Sequence, residues 1–121
     1  MAPEIIEARP YKGTSVDIFA LGVTLFAMVT GVMPFERRAH KDNDQLYNLI
    51  YKGDESSYWD CLHKMYGNET YFIGVSNISD DFKKFNFPFF KYNYFERLNL
   101  EQIKSSPWLV KSTASVNVAE I

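Results

Sequence analysis

The sequence predicts a mostly α-helical chain with one hydrophobic core. Its 121 residues are about one domain. Two observations point to helices: an uncharged apolar stretch lies near the start of the chain, and apolar side chains recur three and four positions apart in later segments. We therefore expect one helix in the middle of the core, with shorter helices packed against it.

The composition is that of an ordinary globular protein, because 46% of the residues are hydrophobic and 23% are charged. Ten Phe, eight Tyr and two Trp residues predict a core dominated by aromatic rings. The net charge of −2 argues against a nucleic-acid-binding protein. Cys61 is the single cysteine, which excludes an internal disulfide and a cysteine metal cluster, and fits a reducing, cytoplasmic location.

The first helix is predicted over Val16–Thr30. Thr14 or Ser15 can cap its N-terminus, Asp17 complements the helix dipole in the first turn, and Gly31 can end it. A helix that is apolar on every side lies in the middle of a core when the protein is soluble.

A membrane span is the alternative interpretation of this stretch, because no charge occurs from residue 18 to residue 35. Pro34 limits the helix to roughly 22 Å at 1.5 Å per residue, which is short for a bilayer. No Tyr or Trp brackets the stretch at both ends. We therefore expect a core helix and no membrane partner.

Two helices are predicted next along the chain. Leu46, Leu49 and Ile50 share one helical face, and Gly53 can end that helix. Tyr58, Trp59, Leu62, Met65 and Tyr66 predict a short helix that packs its rings against the core, and residues 67–77 read as a loop. His40 and His63 have no partner at metal-ligand spacing, so no metal site is predicted.

A further helix is predicted to begin at Ser79, whose side chain can cap it, with two aspartates in its first turn. Phe82, Phe85 and Phe89 lie on one face of this helix. Pro88 would cost about 3 kcal/mol inside it, or shorten it.

Four short motifs resemble the C-terminal lobe of eukaryotic protein kinases. Ala2-Pro3-Glu4 resembles the family's A-P-E, Asp17 to Gly22 its D-x-W-S-x-G, and Gly31 to Phe35 its G-x-x-P-F. Arg97-Leu98, with Pro107-Trp108 further on, is similar to the closing R-L-T…H-P-W. The order and spacing of the motifs carry this resemblance. Leu98 follows Arg97, where a tyrosine kinase would more often read R-P-x-F, and such details favour the Ser/Thr class and, within it, the calmodulin-dependent-like branch.

This resemblance implies a fold and a domain organisation. We expect the lower helical part of a kinase C-terminal lobe over residues 1–109, an incomplete domain, followed by a polar tail over residues 110–121. The resemblance also implies structural roles. Glu4 pairs with Arg97 to hold the end of the activation segment. Asp17 supports the backbone of the catalytic loop, and it opens the D-x-W-S-x-G-like motif that Gly22 closes.

The residues that handle ATP in kinases have no counterpart in this sequence. It contains no glycine-rich G-x-G-x-x-G loop, no H-R-D and no D-F-G. We therefore predict no catalytic, cofactor-binding or metal-binding residue in these 121 residues. ATP and Mg²⁺ are implied only for a complete parent kinase, whose missing half would precede the A-P-E motif.

Two further positions bear on partners. Arg37, Arg38 and Lys41 lie where kinases often dock protein substrates or partners, although a solvated loop is the alternative. Ala27 replaces an acid that meets substrate arginine in many basophilic kinases, so we expect a weakened arginine preference.

Two functions from different classes remain open. The first is a fragment of a Ser/Thr kinase catalytic domain, which is inactive by itself. The second is a non-catalytic, kinase-derived module that binds protein partners, and it would leave apolar surface of the first helix exposed.

Overall fold

The computed structural model describes residues 1–35, 39–42, 44–66 and 78–108. In these ranges the chain is helical and contains no strand, which confirms the predicted fold class. The helices are α1 (Pro3–Ile6), α2 (Gly13–Thr30), α3 (Gln45–Lys52), α4 (Glu55–Tyr66), α5 (Asp80–Asn86) and α6 (Leu100–Lys104), with 3₁₀ turns at Phe87–Phe90 and Tyr94–Glu96.

Helix α2 begins one turn earlier than predicted. Its N-cap is Lys12, whose side chain makes no capping hydrogen bond, so the predicted caps Thr14 and Ser15 lie inside the first turn. Asp17 is therefore the fifth helical residue and lies beyond the first turn. The predicted end is confirmed, because Gly31 adopts a left-handed conformation with φ of 80°.

The expectation that α2 is buried on every side is wrong for the described residues. Its buried positions, Ile18, Phe19, Gly22, Phe26 and Thr30, form one stripe at helical spacing. The opposite face includes Leu21 and Met28, which are 41% and 76% exposed.

Helix α2 is also the one helix in the described ranges that is long and apolar enough to cross a membrane. Of its 18 residues, 28% are buried in the structure. Its 18 residues extend over about 27 Å at 1.5 Å per residue. It is therefore longer than the predicted helix, and the absence of a membrane partner stays a prediction.

The core of the chain is a cluster of aromatic rings, as the composition predicts. Phe90 lies at its centre and contacts Phe19, Phe35 and Phe26 at ring-centroid distances of 5.6, 6.0 and 6.2 Å. All three contacts are edge-to-face, a geometry in which each pair contributes roughly 0.5–1.5 kcal/mol beyond area burial. The 3₁₀ turn that carries Phe90 is thereby packed against α2.

Helices α3 and α4 pack against each other, and Tyr47 of α3 and Trp59 of α4 pack on Phe19 and Phe26 of the core. Asp44 caps α3 by accepting from the Tyr47 amide, and Gly53 ends it in a left-handed conformation with φ of 72°, as predicted. The Tyr58 hydroxyl of α4 donates to the Pro34 carbonyl at 2.6 Å. Cys61 is half-buried, and the predicted loop at 67–77 lies outside the described residues.

Helix α5 begins as predicted, because the Ser79 side chain accepts from the Phe82 amide. It ends at Asn86, and Pro88 lies in the following 3₁₀ turn, so the proline shortens the helix. Phe82, Phe85 and Phe89 are all buried on the predicted face.

Candidate functional site

The candidate site is the junction between α1, the first turn of α2 and the segment that precedes α6. Arg97 Nη1 and Nη2 donate to the two carboxylate oxygens of Glu4, each at 2.6 Å. Both side chains have zero solvent exposure. The structure thus brings together two residues that are 93 positions apart in the sequence.

Arg97 also joins the segments around it. Its Nε donates to the Lys91 carbonyl at 2.7 Å, and Nη1 donates to the Ser15 carbonyl in the first turn of α2 at 3.2 Å. Its guanidinium carbon lies 4.9 Å from the ring centroid of Phe19, a cation–π geometry. One buried cation therefore holds α1, α2 and the chain before α6 in a fixed arrangement.

The electrostatics of the pair favour its charged form. Burial alone raises the pKa of Glu4, but the hydrogen bonds from Arg97 and the positive charges of Arg97 and Arg9 outweigh it. The net effect is a pKa of Glu4 below its usual value. Glu4 is thus held as a carboxylate, which cannot serve as a general acid near neutral pH.

A second polar cluster, which no sequence motif predicts, lies just after α1. The Tyr92 hydroxyl donates to Glu7 Oε1 at 2.5 Å, and Arg9 Nε donates to the same oxygen at 3.2 Å. The guanidinium carbon of Arg9 lies 4.5 Å from the Tyr92 ring centroid. Burial and the bond to Glu7 raise the pKa of the Tyr92 hydroxyl. No local sequence pattern predicts this contact, because Glu7 and Tyr92 are 85 positions apart.

Asp17 and Gly22 lie on different faces of α2. The Asp17 side chain is exposed and makes no hydrogen bond or ion pair with any residue in the described ranges. Gly22 is buried against α5 and its following turn: a Cβ built at this position would lie 2.5 Å from the Cβ of Phe89. The Asn86 side chain also donates to the Gly22 carbonyl at 3.2 Å. Gly22 therefore allows a close approach that no larger residue permits.

The residues predicted for docking are only partly described. Arg37 and Arg38 lie outside the described residues. Lys41 is half-buried, and its ammonium nitrogen lies 4.9 and 5.3 Å from the ring centroids of Tyr51 and Tyr92. Its charge therefore contacts two rings of this chain.

The part of the chain that the structure describes holds no group of three or more His, Cys, Asp or Glu side chains placed to bind a metal ion. His40 Nδ1 accepts from the Asp42 amide at 3.2 Å, a contact within its own turn. The arrangement of Glu4, Arg97 and their neighbours can hold segments in place, and it offers no nucleophile or acid–base pair.

Comparison with known proteins gives the chain a family context. The sequence model of the "protein kinase domain" matches residues 1–109. The chain is 30% identical to the serine/threonine-protein kinase SAPK4 of rice over 112 residues, which are 93% of this chain and 27% of that kinase. It is 31% identical over 121 residues to the smooth-muscle myosin light chain kinase of chicken, all of this chain and 6% of that one.

A third relative is the mouse serine/threonine-protein kinase DCLK3, which is 32% identical over 112 residues, 90% of this chain and 12% of that kinase. The chain thus spans about a quarter of the length of the rice relative and less of the other two. No solved structure matches the chain.

Proposed function

Because the chain belongs to the protein kinase domain family, we propose that it forms the lower helical part of the C-terminal lobe of a Ser/Thr protein kinase. The parent transfers the γ-phosphoryl group of Mg·ATP to serine and threonine hydroxyls of proteins inside the cell. The three relatives named as kinases support the family, and the motif from Arg97 to Trp108 supports the calmodulin-dependent-like branch.

The observation that carries the proposal is the buried ion pair of Glu4 and Arg97. A fully buried pair with two 2.6 Å hydrogen bonds is costly to desolvate, so it needs a geometry that compensates for this cost. In a kinase such a fixed geometry serves catalysis, because phosphoryl transfer depends on how the reacting groups are positioned. Glu4 lies in α1, and we assign α1 to the end of the activation segment that the parent must hold in place.

We assign the ATP-handling groups to a part of the parent outside these 121 residues. The sequence has no counterpart of the glycine-rich loop, the H-R-D aspartate or the D-F-G aspartate, and the described residues offer no carboxylate cluster for Mg²⁺. The exposed face of α2, with Asp17, Leu21 and Met28, is the surface on which that other part packs.

Residue 27 bears on substrate choice. Ala27 carries no charge and is half-buried on α2, so it offers no carboxylate to a substrate arginine. We propose that the parent depends only weakly on arginine near the phosphorylated residue. A peptide array on the purified parent tests this, and strict arginine dependence would contradict it.

The experiment that tests the proposed function starts with the native protein. An antibody to residues 111–121 isolates it from extract, and its mass and its transfer of radiolabelled phosphate from ATP to protein substrates are measured. We expect a band several times heavier than 14.1 kDa and label on serine and threonine. The recombinant chain is the matched control and should transfer none. Label on tyrosine alone, or no label on any substrate from the heavy band, would contradict the proposal.

A non-catalytic interaction module is the second candidate function. The aromatic core and the Glu4–Arg97 pair form among the described residues, and the apolar face of α2 is available to a protein partner. A native mass of 14.1 kDa without kinase activity would favour this function over the first.

A further inference from the structure

A cleft of about 440 Å³ lies beside the C-terminal end of α3, and Arg97 of the buried pair donates to the carbonyl of Lys91, one of the residues that line it. Its floor is apolar, because Ile50 and Phe87 line it and are 4% and 7% exposed. Its rim carries the exposed Lys52 and Lys91. The cleft therefore combines an apolar floor with cationic edges.

The surface around the cleft is positive although the whole chain has a net charge of −2. Four cations lie around it. Lys52 and Lys91 line the cleft, Arg9 lies over the ring of Tyr92, and Lys41 lies over the rings of both Tyr51 and Tyr92. Two acids accompany them, Glu96 on the rim and Glu7 beside Arg9. Asp54, which follows the cleft residue Gly53 and accepts from the Ser57 amide, is a third acid, and four cations against three acids still leave this face positive. A local excess of positive charge attracts anionic groups to this face.

The wall of the cleft is held in place before any partner binds. The rings of Tyr51 and Tyr92 meet edge to face, with centroids 4.9 Å apart and planes at 90°. The Lys41 ammonium lies over both rings, and the Tyr92 hydroxyl donates to Glu7. Because these groups restrain one another, little conformational entropy remains to be lost at the wall on binding.

The donors on the rim are available. In the described ranges, neither Lys52 nor Lys91 forms an ion pair. Asn93 Oδ1 accepts from the Phe95 amide at 3.0 Å, which leaves its side-chain NH₂ facing no partner among the described residues. Two ammonium groups and one amide thus surround an apolar floor.

We propose that this cleft is a docking site for an acidic peptide segment of a partner protein. Carboxylates of the segment pair with Lys52 and Lys91, and one apolar side chain between them packs on Ile50 and Phe87. A nucleic acid fits less well, since the cations are few, the chain is acidic overall and the floor is apolar rather than charged. The proposal goes beyond kinase activity and holds for either candidate function.

The test uses the full 121-residue chain, labelled with ¹⁵N, and two synthetic octapeptides. One peptide has glutamates around a central leucine, and the other has glutamines in place of the glutamates. We expect the glutamate peptide to shift the amide signals of Lys52, Gly53 and Asn93 in a saturable way that weakens with added salt. The glutamine peptide should not. Absence of saturable shifts at these residues, or equal shifts with both peptides, would overturn the proposal.

Matched variants separate docking from general attraction. The double variant Lys52→Glu/Lys91→Glu should weaken binding on the order of tenfold, as expected when two exposed pairs become repulsive. The control Lys84→Glu/Lys104→Glu makes the same charge change at exposed positions on α5 and α6 and should bind like the original chain. Equal loss in both variants, with unchanged circular dichroism, would overturn the site. Tighter binding of a single-stranded oligonucleotide at the same residues would overturn the peptide as its occupant.

Discussion

Glu4 and Arg97 form a closed ion pair in which both terminal nitrogens of the arginine donate to both oxygens of the carboxylate at 2.6 Å. Neither side chain has solvent exposure, and the partners come from opposite ends of the described chain. Because water cannot compensate for a lost partner at such a site, the pair makes the fold sensitive to either residue.

Removal of one partner should therefore destabilise the chain strongly. We expect Glu4→Leu to lower the free energy of unfolding by about 3–5 kcal/mol, because it leaves the arginine buried without its counter-charge. Urea denaturation followed by circular dichroism measures this change. The double variant Glu4→Leu/Arg97→Met removes both charges and should recover much of the loss. A single variant as stable as the original chain would show that the pair does not hold α1.

The same pair should make stability depend on acid pH. The pKa of Glu4 is lower in the folded state than in the unfolded state. Its contribution to the stability of the fold is therefore fully present above the usual pKa of 4.5 and is lost as the pH falls through the pKa of the folded state. We expect the unfolding midpoint in urea to fall between pH 5 and pH 2. The double variant Glu4→Leu/Arg97→Met serves as control and should lose less stability over that range. Equal losses would assign the acid sensitivity to other carboxylates.

Local patterns could predict the ends of several helices and the long-range ion pair. Gly31 and Gly53 end α2 and α3 as expected, and Ser79 begins α5. The motifs around Glu4 and Arg97 indicated the pair that the structure shows at 2.6 Å. These features have local signals, either a special backbone conformation or a recurring motif.

Other features depend on tertiary contacts and could not be predicted. The start of α2 at Gly13 was missed because its N-cap, Lys12, makes no side-chain capping bond that a sequence pattern would reveal. The bond between Tyr92 and Glu7 joins residues with no shared periodicity. The one-sided burial of α2 was missed since its composition is apolar on both faces, and only the placement of the other helices distinguishes them.

Gly22 should tolerate no side chain. Gly22→Ala places a Cβ 2.5 Å from the Phe89 Cβ, so α2 and the turn after α5 must separate, at a cost of roughly 1–3 kcal/mol. The matched control is Gly13→Ala in the same helix, where a Cβ meets nothing within 4 Å. Thermal unfolding of both variants compares them directly, and we expect only Gly22→Ala to lower Tm. An equal rise in Tm for both variants would mean that the reduced backbone entropy of the unfolded chain, and not the contact with Phe89, governs both sites.

The buried tyrosines should make the fold sensitive to alkali. Burial raises the pKa of both Tyr47 and Tyr58, whose hydroxyls donate to the carbonyls of Phe90 and Pro34. Because the pKa is raised in the folded state, each tyrosine contributes to the stability of the fold at pH values below the usual pKa of 10. This stability is lost as the pH rises above that value. We expect absorbance at 295 nm to show their ionisation only together with unfolding. The variant Tyr58→Phe should lose about 1 kcal/mol near neutral pH and less with rising pH. Ionisation of every tyrosine while circular dichroism stays native would contradict this.

The exposed face of α2 should make the isolated chain associate with itself. Leu21 and Met28 lie on one side of the helix and are 41% and 76% exposed, and apolar surface of this kind is normally covered by a partner. We expect the purified chain to bind the dye ANS and to elute from a size-exclusion column above 14.1 kDa.

Substitution on that face should reverse the association without changing the core. Leu21→Gln/Met28→Gln removes apolar surface that contacts no buried ring, so the variant should elute as a monomer and bind less dye while its unfolding midpoint stays the same. The control Tyr11→Gln changes another exposed apolar residue, which lies outside the helix and is 62% exposed, and it should leave the association intact. A chain that elutes as a monomer without dye binding before any substitution would contradict the assignment of this face as a packing surface. Association that Tyr11→Gln abolishes equally would place the contact elsewhere.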